Sequence, residues 1–232
     1  MSKERDKIIL ELLLRNKKVT VKELAAVLYV SEPSVRRDLA GLERQNLIKR
    51  IHGGAMIEDS AVAKNKIPFK VRELEESSAK VVMAQEAAKL VEDGNIVFLD
   101  ASTSTYNLIP FLEGKKNITV ITNGVRALER LAEYGINTIS TGGTLDRDCM
   151  SLVGEEAYKT IETINADICF FSCRGIDADG NITDIFSAEN YIRERMIKHS
   201  KRAYLICAKE KFGKKYFHNL CHKNEIDGVI SS

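Results

Sequence analysis

Short apolar runs rich in β-branched and aromatic residues, recurring through residues 79–232, constrain this chain more than any other feature. NIVFLD, ITVIT, INTIST, DICFFS, AYLICA and a terminal GVIS read as strands. Between most of them lie segments of helical length and spacing: a stretch through Tyr106 and Phe111, then GVRALERLAEY, GEEAYKTIETI and SAENYIRERMIKHS, with AKVVMAQEAAKLVEDG ahead of the first strand. Strands alternating with helices of this length form a mostly parallel sheet covered on both faces. The fold class is therefore α/β over 79–232.

In a parallel α/β sheet, ligands collect at the carboxyl ends of the strands. The polar signals of this chain stand there. Asp100, Ala101, Ser102, Thr103, Ser104 and Thr105 follow IVFL and open a helix, where hydroxyls and unpaired amides favour an anion. Thr122, Asn123 and Gly124 end the next strand, and Thr141, Gly142 and Gly143 the one after. Serine, threonine and glycine also serve simply as caps and turns, but three such strand ends in succession resemble a phosphate cradle. Arg174, Gly175 and Asp177 follow DICFFS, and Lys211 follows AYLICA. Cations at two further strand ends suit a phosphate, whereas Asp100, Asp177 and Glu189 suit sugar hydroxyls.

The first 57 residues are organised differently. Ile8, Ile9, Leu12 and Leu13 recur at helical spacing. Thr20-Val21-Lys22-Glu23 has the capping-box pattern ahead of Leu24, Ala25 and Leu28. After Tyr29-Val30, Ser31 is placed to cap a third helix that carries Pro33 in its first turn. Val35, Leu39 and Leu42 make its buried face. Glu32, Pro33, Ser34, Arg36 and Arg37 fall away from that face, near the end that a recognition helix inserts into the major groove, where arginine can grip a guanine edge or a phosphate. Asp38 stands nearer the buried side and is expected to orient an arginine. Lys49, Arg50 and His52 then lie in an alternating ribbon closed by Gly53-Gly54, a basic wing for the phosphates. Thr20, at the start of the second helix, completes the candidate DNA-binding set.

Charge partition agrees. Residues 1–57 hold 12 Lys and Arg against 7 Asp and Glu, and the remainder 23 against 26. A basic head on a slightly acidic body calls for a polyanion at the head alone. The domain boundaries expected are 1–57 for the winged helix-turn-helix, 58–78 for a linker and connecting segment in which IEDSAVAKN lacks periodicity, and 79–232 for the effector-binding domain.

Other classes are disfavoured. Charges interrupt the N-terminal apolar positions, unlike a signal peptide, and no apolar run reaches the roughly 18 residues of a membrane span, so a cytoplasmic protein is expected. Five cysteines without CxxC spacing read as reduced thiols. His218, Cys221 and His222 could clip a metal if helical but lack a fourth ligand. There is no GxxxxGK, GxGxxG or Ser-His-Asp arrangement, and no metal or cofactor is implied.

VTVKELAAVLYVSEPSVRRDLAGLERQNLIKRIHGGA closely resembles the amino-terminal winged helix-turn-helix of DeoR-family bacterial transcriptional regulators, above all in VSEPSVRRDL followed by HGGA. The resemblance implies that residues 20–39 are the helix-turn-helix proper. It extends over the second domain, where LDASTST looks like the family's DSGTT-type phosphate loop, and TN, TGG, SCRGID, GNITD, Glu189 and KFG match later motifs. Ser102 stands where a glycine is common, and Ala208 where an aspartate is common. By resemblance the second domain has a ribose-phosphate-isomerase-like fold used as a sensor of phosphorylated sugars or related metabolites.

The expected function is a regulator, in the first place a repressor, of a carbohydrate-metabolism operon. Its partners are a double-stranded DNA operator, a phosphorylated sugar and a second copy of itself, since paired half-sites need two heads. The alternative is an isomerase-like enzyme with Asp100, Glu189 and Lys211 as an acid–base set, because fold does not fix function.

Overall fold

The computed structural model describes residues 2–45, 47–56, 69–74 and 77–232, and the chain divides into two compact units, Met1–Ser77 and Ser78–Ser232. Of the expected connecting segment, 58–68 and 75–76 lie outside the described residues, including nearly all of IEDSAVAKN.

The first unit runs α1 (Ser2–Asn16), β1 (Lys18–Thr20), α2 (Val21–Leu28), α3 (Glu32–Arg44), β2 (Lys49–Ile51), β3 (Gly54–Met56) and α4 (Phe69–Leu74). Thr20 caps α2: its hydroxyl accepts from the Glu23 amide at 3.1 Å, while the Glu23 carboxylate accepts from the Thr20 amide at 2.7 Å. These bonds hold the Glu23 carboxyl below its ordinary range. Val35, Leu39 and Leu42 of α3 are buried against Ile9, Leu10, Leu13 and Leu24. Val71 of α4, in the stretch read as connector, joins the same core, and Lys70 lies 3.9 Å from Asp6. The buried face of α1 is consequently centred on Ile9, Leu10 and Leu13, with Ile8 and Leu12 at its margins.

Sequence spacing did not reveal β1, which pairs with β3 to make a three-stranded sheet of order β1-β3-β2. That pairing explains Gly54. A Cβ there would stand 2.2 Å from the Val19 carbonyl oxygen.

The second unit runs α5 (Ser77–Ala88), β4 (Ile96–Leu99), α6 (Thr103–Tyr106), β5 (Thr119–Thr122), α7 (Val125–Glu133), β6 (Asn137–Ser140), β7 (Thr144–Asp146), β8 (Ser151–Val153), α8 (Glu155–Glu162), β9 (Ile168–Phe171), β10 (Gly175–Ile176), β11 (Asn181–Asp184), α9 (Ser187–Lys198), β12 (Ala203–Ile206), β13 (His218–His222) and β14 (Gly228–Ile230). Six strands form one parallel sheet in the order β14-β12-β9-β4-β5-β6. Its central strands are apolar at every position because both faces are covered. Val97, Leu99 and Phe170 pack with Met83, Ala87 and Leu131 on one side, and Phe98, Cys169 and Phe171 with Ile161, Ile192 and Met196 on the other.

Two additions went unread in the sequence: the β7–β8 hairpin and an antiparallel sheet of order β10-β11-β13. The latter takes His218–His222 as a strand, so the two histidines stand about 13 Å apart along it and lose the helical spacing that a metal clip required.

Replacing Gly54 with alanine is expected to weaken the β1–β3 pairing and lower the unfolding free energy by about 1–3 kcal/mol, as overpacking against backbone does. Gly41→Ala, in α3 where a Cβ meets nothing within 4 Å, is expected to be neutral or stabilising. Urea denaturation of both variants checks the contrast.

Candidate functional site

The exposed surface of the first unit gathers the expected DNA-binding residues. Ser31, Glu32, Pro33, Arg36 and Arg37 are exposed and Ser34 half-exposed along the first turns of α3, and Lys49, Arg50 and His52 are exposed on the ribbon that follows. Arg36 reaches back to Glu32 at 2.9 Å, and Arg37 donates to Ser34 Oγ at 3.3 Å. Both guanidiniums are therefore held along the outer face of the same helix. Arg50 is steadied by Glu43, which accepts from its amide at 2.9 Å and lies 3.8 Å from its guanidinium. Asp38 accepts from Arg5 Nε and Nη2 at 3.0 and 3.2 Å, tying α1 to α3.

One expectation changes. Ser31 occupies the cap position of α3 but its hydroxyl caps no amide; it lies 3.2 Å from Ser34 Oγ, and the Ser34 amide donates to the Ser31 carbonyl instead. The hydroxyl of Thr20 is committed to Glu23.

In the second unit, strand order decides where a ligand site can form. The chain begins at β4, steps outward through β5 and β6, then returns to β9 on the other flank of β4. In sheets of this kind such a reversal, here between the ends of β4 and β9, is the usual ligand position. The loop 100–105 lies on one side of it and Ser172 on the other. Ser172 Oγ lies 3.5 Å from Ser104 Oγ, and Lys211 Nζ donates to Ser172 Oγ at 3.2 Å and to the Cys173 carbonyl at 2.8 Å. Among the described residues, no carboxylate is within ion-pair distance of Lys211. A half-buried ammonium with only neutral acceptors is suited to an incoming anion.

Beneath this surface lies a buried ionic cluster. Arg193 of α9 donates from Nε to Asp100 Oδ2 and from Nη1 to Asp184 Oδ2, both at 2.8 Å, and its Nη2 stands 3.5 Å from Glu189 Oε2. Burial alone would depress the Arg193 pKa, but the three carboxylates outweigh it and hold the guanidinium firmly charged. Burial pushes the Glu189 carboxyl up, against the pull of Arg193 and of the short hydrogen bond from Ser151. Asp100 is buried among internal donors. Its Oδ1 accepts from the Ser102 amide at 3.1 Å and Thr105 Oγ1 at 2.9 Å, and its Oδ2 accepts from the Ser172 amide at 3.1 Å as well as from Arg193. These internal donors, with the Thr105 hydroxyl shared between Oδ1 and the Asp100 and Ser102 carbonyls, turn the carboxylate inward to organise the loop.

The remaining candidates divide between this edge and other roles. Ser102, with φ −78°, needs no glycine-like backbone and uses its hydroxyl to accept from the Thr105 amide. Thr103 and Thr105 are buried in α6 and Thr122 and Asn123 at the end of β5; among the described residues the Asn123 Oδ1 has no partner, while its Nδ2 donates to the Leu152 carbonyl. Gly142 and Gly143 carry the chain from β6 into β7. Arg174 is half-buried, its amide paired with the Thr183 carbonyl. Gly175 is buried where a Cβ would stand 2.4 Å from the Lys214 carbonyl oxygen, so close packing accounts for it. Asp177 builds the β10–β11 turn, accepting from the Asp179 and Asn181 amides and from the Asn181 side chain, with Lys215 3.0 Å away. The Asn181 and Lys215 bonds hold its carboxyl far below the usual aspartate range, and it serves the turn. Sequence reading missed Ser172, Asp184, Ser151 and Arg193. GNITD contained one signal, an aspartate closing a short strand.

The comparisons with known proteins follow this division. Residues 5–61 match the DeoR-like helix-turn-helix domain, and residues 75–232 the DeoR C terminal sensor domain. YulB of Bacillus subtilis (strain 168), an HTH-type transcriptional regulator, is 31% identical over 98% of this chain and 88% of its own. The HTH-type transcriptional regulator GolR of Listeria innocua is 34% identical over 90% of this chain and 82% of its own. The L-fucose operon activator of Escherichia coli (strain K12) is 30% identical over 100% and 95%. Among solved structures, eIF2B delta from Chaetomium thermophilum shares the fold, with a TM-score of 0.51 at 16% identity over 67% of this chain and 56% of that chain. Ribose 5-phosphate isomerase A from Methanocaldococcus jannaschii aligns with a TM-score of 0.45 at 15% identity over 60% and 55%.

Arg193→Leu leaves three buried carboxylates without their cation and is expected to lower stability at neutral pH by about 3–5 kcal/mol. The sign with pH follows from Glu189, whose pKa Arg193 pulls down, so that removing Arg193 raises it further. A carboxyl whose folded pKa is raised favours the fold below its unfolded pKa and loses that contribution as pH rises through the folded value. The deficit should therefore shrink between pH 7 and pH 4.5, as urea titrations of both proteins at each pH would reveal.

Proposed function

This chain belongs to the DeoR family of transcriptional regulators, and on that premise we propose that it represses a carbohydrate-metabolism operon and is released by a phosphorylated sugar. The observation that carries the DNA-binding part is the outer face of α3, where Arg36 and Arg37 are exposed and steadied by Glu32 and Ser34 one turn earlier. Such a face can enter the major groove while Lys49 and Arg50 follow the phosphates. Two copies reading paired half-sites are part of the proposal.

The sensing part rests on Ser104, Ser172 and Lys211, which meet where the strand order reverses. The Ser104 hydroxyl and the Lys211 ammonium suit a phosphate ester, while Ser172, whose hydroxyl donates to the Ile206 carbonyl at 2.8 Å, holds the ammonium in place. The sugar is read at the neighbouring ends of β5 and β6, where the Asn123 Oδ1 can accept from a hydroxyl. We read the domain as binding its ligand without turnover: Asp100 is buried and paired with Arg193, and the relatives are named as regulators. A turnover assay with pentose and hexose phosphates separates this from the isomerase alternative.

Arg37→Ala is expected to fold normally and lose specific binding by roughly 1–3 kcal/mol per half-site. Unchanged operator affinity in gel-shift titrations at matched salt would remove Arg37 from the interface. Arg50→Ala should instead weaken all duplexes alike and reduce the dependence on salt.

Ser104→Asp places a carboxylate among the anion-binding groups. Calorimetry is expected to register a phosphorylated sugar on the wild type and none on this variant, with unphosphorylated sugar silent on both. Ligand must also lower operator affinity, because an effector shifts an equilibrium only by its differential affinity for the two states. Equal phosphate-ester binding by both proteins would place the site elsewhere.

A further inference from the structure

The turn between α2 and α3 holds a residue that the fold does not account for. Tyr29 closes α2 with φ 53° and ψ 42°, its amide donating to the Ala25 carbonyl. Glycine or asparagine is the usual occupant of this left-handed position, and a bulky side chain there is uncommon and costs conformational energy. No described residue repays the choice. The side chain is 93% exposed, and among the described residues its phenol has no hydrogen-bond partner. A large aromatic in an unfavourable backbone conformation, serving no internal contact, points outward to a partner.

The position of Tyr29 identifies that partner. Only Val30 separates it from Ser31, the cap residue of α3, so its Cα lies within about 7 Å of the end that presents Ser34 and Arg37. A helix-turn-helix seats that end in the major groove, which leaves the turn beside the groove wall. The wall is sugar and phosphate. Tyrosine is among the side chains that fix a protein's register on DNA by donating to phosphate oxygens. We propose that Tyr29 is a positioning residue for DNA binding, its phenol donating to a backbone phosphate next to the groove occupied by α3 and its ring lying along the sugar edge. This inference rests on the DNA-binding reading above. It adds a neutral, sequence-independent contact to the charged ones.

The neutrality gives the test its resolution. Loss of a lysine or arginine phosphate contact reduces the salt dependence of binding, whereas loss of a tyrosine contact releases no additional counterions and leaves the slope unchanged. The probes are a duplex enriched by the wild-type protein from a random library and an unselected duplex of the same length. Tyr29→Asn, which suits the left-handed backbone, is expected to melt at or above the wild-type temperature and to bind both duplexes roughly tenfold more weakly, by the same factor and with the wild-type salt slope. Tyr29→Phe keeps the ring and the backbone cost but loses the donor, and should show most of that loss. Wild-type affinity in Tyr29→Asn, a loss confined to the selected duplex, or a loss that follows a lowered melting temperature would each overturn the assignment. Failure of the wild-type protein to bind either duplex would instead overturn the DNA-binding reading, and this inference with it.

Discussion

One guanidinium holds the working edge of the second unit together. Arg193 projects from α9 to Asp100 at the end of β4 and Asp184 at the end of β11, beside Glu189 of its own helix. Three carboxylates facing one cation would be untenable in a buried site if that were all. The excess negative charge is met by neutral donors: the amides of Ser102 and Ser172, the Ile185 amide, and the hydroxyls of Thr105 and Ser151. The Ser102, Ser172 and Ile185 amides belong to loops that would otherwise be free to choose their path, and Thr105 and Ser151 stand in α6 and at the start of β8. The cluster thus converts electrostatic need into loop geometry, and the positions of Ser104 and Ser172 at the strand reversal are consequences of it.

The two units solve opposite electrostatic problems. The first concentrates basic residues on its surface and leaves them half-tethered, Arg36 to Glu32 and Arg50 to Glu43, so that a polyanion meets oriented cations. The second buries its most consequential charges and presents one half-buried ammonium at a sheet edge. Its modest negative balance limits nonspecific attachment to nucleic acid and leaves that task to the head.

Much of this architecture was legible because it is local. The central strands declare themselves because burial on both faces demands apolar residues at every position, as in IVFL and ICFF. The capping box of Thr20 and Glu23 is a contact between residues three apart, and the buried stripe of Val35, Leu39 and Leu42 is a matter of helical period. What was hidden is nonlocal. Arg193 is one of several basic residues in YIRERMIKHS, and periodicity there marks only Ile192 and Met196 as core. Nothing near it in the chain announces that Asp100, 93 residues earlier, is its partner. The partners of Asp100 are hidden for the same reason: its donors come from Arg193 and Ser172, brought in by a strand order that sequence does not encode locally. Strand β1 escaped notice because three residues, KVT, carry too little pattern, and His218–His222 because its pairing with β11 is made across the fold.

The central place of β4 has a consequence for the order in which this protein can be made. β4 pairs with β5 shortly downstream, but its other neighbour is β9, and the bond from the Ile96 amide to Asp167 spans 71 residues. A nascent chain can therefore assemble β4, β5 and β6 long before β9 exists, and until then one edge of β4 and the carboxylate of Asp100 await partners still to be synthesised. The reversal is completed by the last half of the chain to leave the ribosome. Until then the growing polypeptide bears an open strand edge, the feature most prone to pairing with a neighbour.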